Sequence, residues 1–341
     1  MSNRPVIFVP EPRKPMSLLK ELLEPHAEVC VGGPEKWTED DLIGGIPEWD
    51  AILVTSREQV TERVIQAGTR LKIIAKFGVG VENINIRAAT QAGVPVTNCP
   101  GSNAVAVAEA ALGLILASVR RIPSYMKALQ GGAWREVLED SIELSGATFG
   151  IVGFGNVGRE LARLLRGFDG RILASDPYVS SDEIWERGAE PIDFDSLVQE
   201  SDIISLHCSL TSQTQHLFDA ARFKMMKRHA VVVNCARGQI IDEKALANAL
   251  RENVISAAGL DVFEGEPPEK DHPLFSLPNA VVTPHLAGST HLAHERIFRM
   301  ASDSIIRALM EERPAPEMLL NPEVYENTPP SDGTLYSGEE N

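Results

Sequence analysis

Apolar and polar positions alternate along this chain in two rhythms. Short runs rich in Val, Ile, Leu and Ala at residues 6–9, 28–31, 51–55, 71–76 and 94–97 have the length and composition of strands. Between them, residues 17–23, 61–67 and 86–92 carry apolar side chains at helical spacing. Strand and helix taken in turn predict a mostly parallel sheet with crossover helices, an α/β domain. Pro100, Gly101, Ser102 and Asn103 break the rhythm ahead of a long apolar helix over 104–120. A second alternation begins at Thr148, with later strands predicted at 202–207, 230–234, 256–260 and 281–283. A last helix over 291–311 starts just after Ala287, Gly288 and Ser289. No repeat of solenoid period is visible.

The two small-residue breaks divide the chain. Residues 101–288 form one predicted domain, residues 1–100 plus 289–325 a second, discontinuous one, and the polar stretch 326–341 a flexible tail. A length of 341 residues fits two cores better than one.

Composition narrows the partners. A formal charge of −16 argues against nucleic acid and anionic membrane, both of which require a basic face. Cys30, Cys99, Cys208 and Cys235 are scattered without a CxxC pair, so neither a zinc site nor a disulfide framework is expected, and a reducing cytoplasm fits. Residues 6–9 are too few for a signal-peptide core, and the apolar run 104–119 contains Glu109 and is short for a bilayer span.

The most informative stretch is 148–176. A buried strand at 149–152 runs into Gly153-Phe-Gly155-Asn156-Val157-Gly158, and Val157, Leu161, Leu164, Leu165 and Phe168 then fall at helical spacing. In that setting Gly153 allows a tight turn, Gly155 lets backbone approach a pyrophosphate, and Gly158 lets helix and strand pack closely. The next strand, 171–175, ends at Asp176, whose carboxylate can accept from both ribose hydroxyls and repels a 2′-phosphate. The pattern therefore predicts NAD rather than NADP.

Ligands of an open parallel sheet bind beyond the carboxyl ends of its strands. Three ionisable residues follow such ends: Arg237, Glu266 and His285. Taken singly, each is more easily read as an ordinary loop residue. On one rim beside a dinucleotide they match hydride transfer to a carbonyl. A histidine can protonate the resulting oxyanion, a carboxylate can keep that histidine charged, and an arginine can hold a substrate carboxylate while polarising the carbonyl.

The segments KFGVGVEN at 76–83, GFGNVG at 153–158, NCARG at 234–238, LDVFEGEP at 260–267 and TPHL at 283–286 resemble, in order and spacing, the D-isomer-specific 2-hydroxyacid dehydrogenase family. The resemblance covers roughly residues 6–322. It implies a flavodoxin-like substrate domain with an inserted Rossmann domain for NAD, both doubly wound parallel sheets. It also implies that Arg237 binds the substrate carboxylate and keto oxygen, that Glu266 pairs with His285, and that His285 is the general acid/base. Gly153, Gly155, Asn156, Val157, Gly158, Asp176, Cys208, Cys235, Asp261 and Gly288 would line the cofactor together with Arg237 and His285, Asp261 holding the nicotinamide amide. Gly78 and the backbone N–H groups of Val79 and Gly80 would grip the substrate. A homodimer through the nucleotide-binding domain is implied, with the segment around Trp134 in the contact.

Within the family the 3-phosphoglycerate dehydrogenases look most similar, because Arg57 and Lys76 stand where cationic residues of that subgroup meet an acidic substrate. A regulatory domain is not expected after the last helix. Hydroxypyruvate or glyoxylate reduction and a non-enzymatic, NAD-sensing co-repressor role are the alternatives, whereas a formate dehydrogenase would pair its histidine with an amide in place of Glu266. Phe77 is bulkier than the residue common before Gly78 and is expected to reshape the substrate pocket. His291 and His294 lack a third nearby ligand, so no metal is expected.

Overall fold

The computed structural model describes residues 4–11, 16–135 and 141–326. Most of the predicted tail therefore lies outside the described residues. The chain forms two compact units, Met1–Asn103 with His291–Asn341, and Ala104–Thr290.

The first unit is a five-stranded sheet of β1 (Val6–Val9), β2 (Glu28–Val31), β3 (Ala51–Val54), β4 (Ile73–Lys76) and β5 (Val96–Thr97), in the order β2-β1-β3-β4-β5. Every pairing is parallel. This is the flavodoxin-like order. Apolar clusters cover both faces. On one side Leu42, Ile46, Trp49 and Val64 meet Ile52, Val54 and Ile74. On the other, Ile297, Phe298, Ala301 and Ile305 of the helix His291–Leu309 meet Leu19, Leu23, Leu53 and Ile73. Strand β5 is shorter than the predicted 94–97. Pro95 has no N–H to give the ladder, and only its carbonyl takes part, accepting from Ile74 N at 2.9 Å. The helix Glu39–Gly45 was not anticipated, although Thr38 and Asp41 close a capping box at its start.

The second unit is a seven-stranded sheet of β6 (Thr148–Val152), β7 (Arg171–Ser175), β8 (Glu190–Pro191), β9 (Ile203–Leu206), β10 (Val231–Asn234), β11 (Ala257–Leu260) and β12 (Ala280–Val282). Its order, β12-β11-β10-β9-β6-β7-β8, is the Rossmann order with one further strand, and the winding reverses between β6 and β9. The long helix Ala104–Val119 packs Ala108, Ala111, Leu114 and Ile115 against Phe149, Ile151, Val231 and Val233 on one face. Phe218, Phe223, Leu246 and Leu250 close the other.

All four cysteines are unpaired. Among the described residues, no helix is long and apolar enough to cross a membrane, and no group of three or more His, Cys, Asp or Glu could hold a metal ion.

Candidate active site

At the switch point between β6 and β9, strand β6 runs into Gly153 with φ +90°. A Cβ there would lie 2.4 Å from Cys208 N, so the turn requires glycine both for its conformation and for the close approach of the β9 loop. The helix Asn156–Leu165 follows, with Gly155 at its N-cap making no side-chain capping bond, so no side chain claims its leading N–H groups through the cap. Asn156 and Val157 form its first turn, where Gly158 is buried.

A cavity of about 750 Å³ opens beside this turn, bounded among others by Gly153, Gly155, Asp176, Tyr178, His207 and Cys208. Asp176 is held with Oδ2 accepting from Phe154 N at 2.7 Å and Oδ1 from Tyr178 N at 2.8 Å. The two bonds tie the acidic end of β7 to the glycine turn. Among the described residues lining the cavity there is no Lys or Arg, while Asp176 and Asp193 are both present. The walls thus suit ribose hydroxyls and disfavour a 2′-phosphate. A glycine turn, an uncapped helix start and an acidic residue on the neighbouring strand are the parts that a dinucleotide requires, so the residues present fit one.

His207 was not singled out from the sequence, although it follows strand β9, where the strand-end rule points. Its Nε2 lies 2.8 Å from Ser205 Oγ. Desolvation pushes its pKa down to about 4, so the ring is neutral at physiological pH. Burial likewise raises the Cys208 thiol to about 11, and pushes Cys235 well up, with Asp261 adding to the effect. Both sulfurs are unreactive thiols at neutral pH.

Strands β10, β11 and β12 are neighbours in parallel register, with Asn234 beside Leu260 and Leu260 beside Val282. Their carboxyl ends therefore deliver Arg237, Glu266 and His285 to one rim. Arg237 begins a single 3₁₀ turn, its backbone carbonyl accepting from Asn234 Nδ2 at 2.8 Å. Glu266 Oε2 lies 2.6 Å from His285 Nδ1, and Oε1 accepts from Phe263 N at 3.1 Å. The side chains of His285 and Glu266 are 50% and 37% exposed, so the pair is open to a ligand.

The hydrogen bond to Glu266 raises the pKa of His285 above the ordinary value. Desolvation opposes the rise, the charges of Glu266 and Asp261 support it, and Arg237 opposes it. For Glu266 desolvation pushes upward, but the hydrogen bonds from His285 and Phe263 N, with the charges of His285 and Arg237, outweigh it and the carboxyl is lowered. The pair is thus biased toward imidazolium beside carboxylate, with Nε2 as the nitrogen available for proton exchange.

His285 itself has φ +53°, a conformation that non-glycine residues hold only when their surroundings enforce it. Asp261 supplies the enforcement. The residue is 1% exposed; its carboxylate accepts from Thr283 Oγ1 at 2.6 Å, Leu286 N at 3.0 Å and Ala287 N at 2.8 Å, and its carbonyl accepts from His285 N at 2.7 Å. The resemblance made Asp261 a cofactor ligand; in the structure its carboxylate is bonded to the loop that carries His285. Gly288 follows Ala287 in the same segment.

The substrate residues expected on the first unit fall in two loops. Gly78 has φ +128°, Val79 is 38% exposed, and the carbonyls of Gly78 and Val79 accept from Cys99 N and Asn98 Nδ2. Lys76 points inward from the end of β4. It is 4% exposed, and its ammonium donates to Thr55 O at 2.8 Å and Asn83 Oδ1 at 2.6 Å. Arg57 donates to Pro34 O and pairs with Glu11 at 3.1 Å. Both cations are thus engaged within the unit. Phe77, expected to reshape the pocket, packs against Phe298 and His294 with ring centroids 4.7 and 5.7 Å away.

On a Rossmann sheet, a glycine turn with an acidic residue at the end of β7 is the arrangement that binds a dinucleotide, and here it stands beside an Arg, Glu, His rim. The model of the D-isomer specific 2-hydroxyacid dehydrogenase NAD binding domain matches residues 112–287. The chain belongs to the D-isomer specific 2-hydroxyacid dehydrogenase family, and NAD is its cofactor. It is 42% identical to a D-3-phosphoglycerate dehydrogenase of Archaeoglobus fulgidus over 79% of this chain and 51% of that one. It is also 42% identical to a hydroxypyruvate reductase of Thermotoga maritima, over 81% of this chain and 90% of that one. A crystal structure of a Thermus thermophilus protein superposes with a TM-score of 0.86 at 30% identity, covering 92% of this chain and 99% of the other. The chain spans about half the length of the phosphoglycerate dehydrogenases it matches.

Proposed function

We propose that this protein catalyses reversible reduction of a short 2-oxo acid to its D-2-hydroxy acid, with Arg237, Glu266 and His285 as the catalytic residues. The observation that carries the proposal is the 2.6 Å Glu266–His285 pair on the rim beside the glycine turn. Nicotinamide, when bound, supplies the hydride. Arg237 holds the substrate carboxylate and draws charge toward the keto oxygen. His285 Nε2–H donates the proton that the oxyanion needs, and Glu266 keeps the ring oriented and charged until that transfer. In the oxidative direction the same nitrogen takes the proton from the hydroxyl. On the first unit, we propose that the 78–80 turn binds a carboxylate through Val79 and Gly80 N–H.

The relatives named for D-3-phosphoglycerate bring phosphohydroxypyruvate forward as a substrate, but the commitments of Lys76 and Arg57 favour an acid without phosphate. A phosphate would have to displace Lys76 from two buried bonds or Arg57 from Glu11. We therefore rank hydroxypyruvate and glyoxylate ahead. In an NADH-oxidation panel, hydroxypyruvate or glyoxylate should show a higher kcat/KM than phosphohydroxypyruvate, and NADH should be preferred to NADPH. A dominant phosphohydroxypyruvate activity would overturn the ranking, and a preference for NADPH would overturn the role of Asp176.

We further propose a homodimer formed through the second unit. The helix Ile122–Gln130 buries none of its residues, and Ile122, Met126, Leu129 and the nearby Trp134 are between 53% and 69% exposed. Such an apolar face is the signature of a covered surface. Sedimentation should give twice the chain mass of 37.2 kDa, and Trp134→Glu with Met126→Glu should return the monomer. Four unpaired cysteines suit a reducing compartment such as the cytoplasm.

A further inference from the structure

The catalytic rim is built on loops, yet Glu266 must keep a 2.6 Å bond to His285. What holds its loop lies away from the reacting groups. Phe263 packs directly on the turn that carries Arg237. A Cβ on Gly238 would lie 1.9 Å from the Phe263 carbonyl carbon, so the two backbones touch. Gln239 Nε2 of the same turn donates to Glu264 O at 2.8 Å.

Glu264 is then gripped by the start of the helix Glu243–Arg251. Glu264 N donates to Glu243 Oε1 at 2.8 Å, and Glu243 N donates to Glu264 Oε1 at 3.0 Å, a reciprocal pair of charge-assisted bonds. Glu243 Oε2 is taken by His272 Nε2 at 3.0 Å, and Glu264 Oε1 also lies 3.2 Å from His216 Nε2. The His272 ring sits between Phe263 and Phe275, with centroids 5.5 and 5.3 Å away. Glu243 and His272 have side chains only 15% exposed. His272 Nδ1 is buried without a hydrogen-bond partner, which suits a ring with its proton on Nε2, donating to Glu243.

We infer that Glu243, oriented by His272, is a positioning residue that fixes the 261–267 loop and thereby holds Glu266 on His285. The inference rests on the reaction proposed above only for its effect on turnover. Glu243 touches neither member of the pair; it acts through Glu264, two residues before Glu266. A gap of about 1 Å at a catalytic contact can cost roughly 100-fold in rate, so a brace of this kind has a measurable consequence. Among the described residues the charged groups that act on His285 are Glu266, Asp261 and Arg237, and a substitution at Glu243 replaces none of them, so a moved titration reports their placement.

The test compares the full-length protein with Glu243→Gln and Glu243→Ala. Glutamine keeps one acceptor for Glu264 N but cannot also accept from His272, whereas alanine removes both bonds. The titration of His285 is followed by NMR on protein carrying labelled histidine, with His285→Gln to assign the signal. Turnover, NADH affinity and melting temperature are measured in parallel. The expected result is a His285 titration that falls toward the ordinary histidine value in the order wild type, Glu243→Gln, Glu243→Ala. Turnover should drop about 10- to 100-fold with NADH affinity within about twofold of wild type. Variants that melt earlier but keep the wild-type His285 titration would overturn the inference, whether or not turnover falls. If alanine does not fold, the glutamine variant decides alone. Wild-type protein with no turnover on any 2-oxo acid would defeat the proposed reaction, while the His285 titration would still decide the role of Glu243.

Discussion

His285→Gln is expected to lower turnover by about 100- to 10,000-fold, the usual worth of a positioned general acid/base, while leaving NADH affinity near that of the wild type. The asymmetry follows from where the residue sits. Its side chain lies on the β12 end of the rim and is held by Glu266, whereas the glycine turn and Asp176 that suit the dinucleotide belong to β6 and β7. Glutamine keeps a hydrogen-bonding side chain of similar reach but has no group that titrates near neutrality. Single-turnover reduction followed at the NADH absorbance separates the two effects, because binding and chemistry are read in one trace. Near-wild-type turnover would remove His285 from the reaction.

Arg237→Gln is expected to lower kcat/KM for a 2-oxo acid by roughly 30- to 5,000-fold, the kinetic equivalent of the ~2–5 kcal/mol lost when one partner of a desolvated charge pair is removed. The loss should fall on KM and kcat together, since the guanidinium is assigned both to the substrate carboxylate and to the developing oxyanion. It has a second signature. Arg237 opposes the protonation of His285 through its charge, so its removal should move the His285 titration upward even as activity falls. A variant that loses activity with the titration moving downward would place the guanidinium elsewhere. The lysine variant should recover only part of the activity, because an ammonium restores the charge and not the fork.

The two sheets could be read in the sequence because their strands are apolar runs separated by helical periodicity, and the glycine turn because each glycine has a backbone task. The rim could be read too, since Arg237, Glu266 and His285 each follow a strand end and parallel strands stack those ends together. A side chain's surroundings were less legible than its place on a strand end. Lys76 looks like a cation offered to a substrate, but the β4 end turns it inward onto Thr55 and Asn83. Asp261 looks like one more polar group on the rim, yet its buried carboxylate is spent on three donors of the His285 loop. Glu243, Glu264 and His272 carry no pattern at all. They are ordinary polar residues, one at the start of the helix Glu243–Arg251 and two in the connection after β11, brought together only when the β10 and β11 turns pack through Gly238 and Phe263. His207 was within reach of the strand-end rule that found the trio.

A carboxylate that raises the pKa of a histidine on the rim beside the glycine turn is the central feature, and pH reports it directly. Reduction needs His285 in its charged form, and its pKa is raised above the ordinary value chiefly by the bond to Glu266. The rate constant kcat/KM for reduction should therefore be high on the acid side and fall as pH rises through that raised value. In Glu266→Gln the amide cannot supply the charge, so the falling limb should move to lower pH. Measured for hydroxypyruvate reduction from about pH 5 to about pH 10 in both proteins, a downward displacement of the limb is the expected result, and coincident profiles would contradict the assignment of the Glu266–His285 pair.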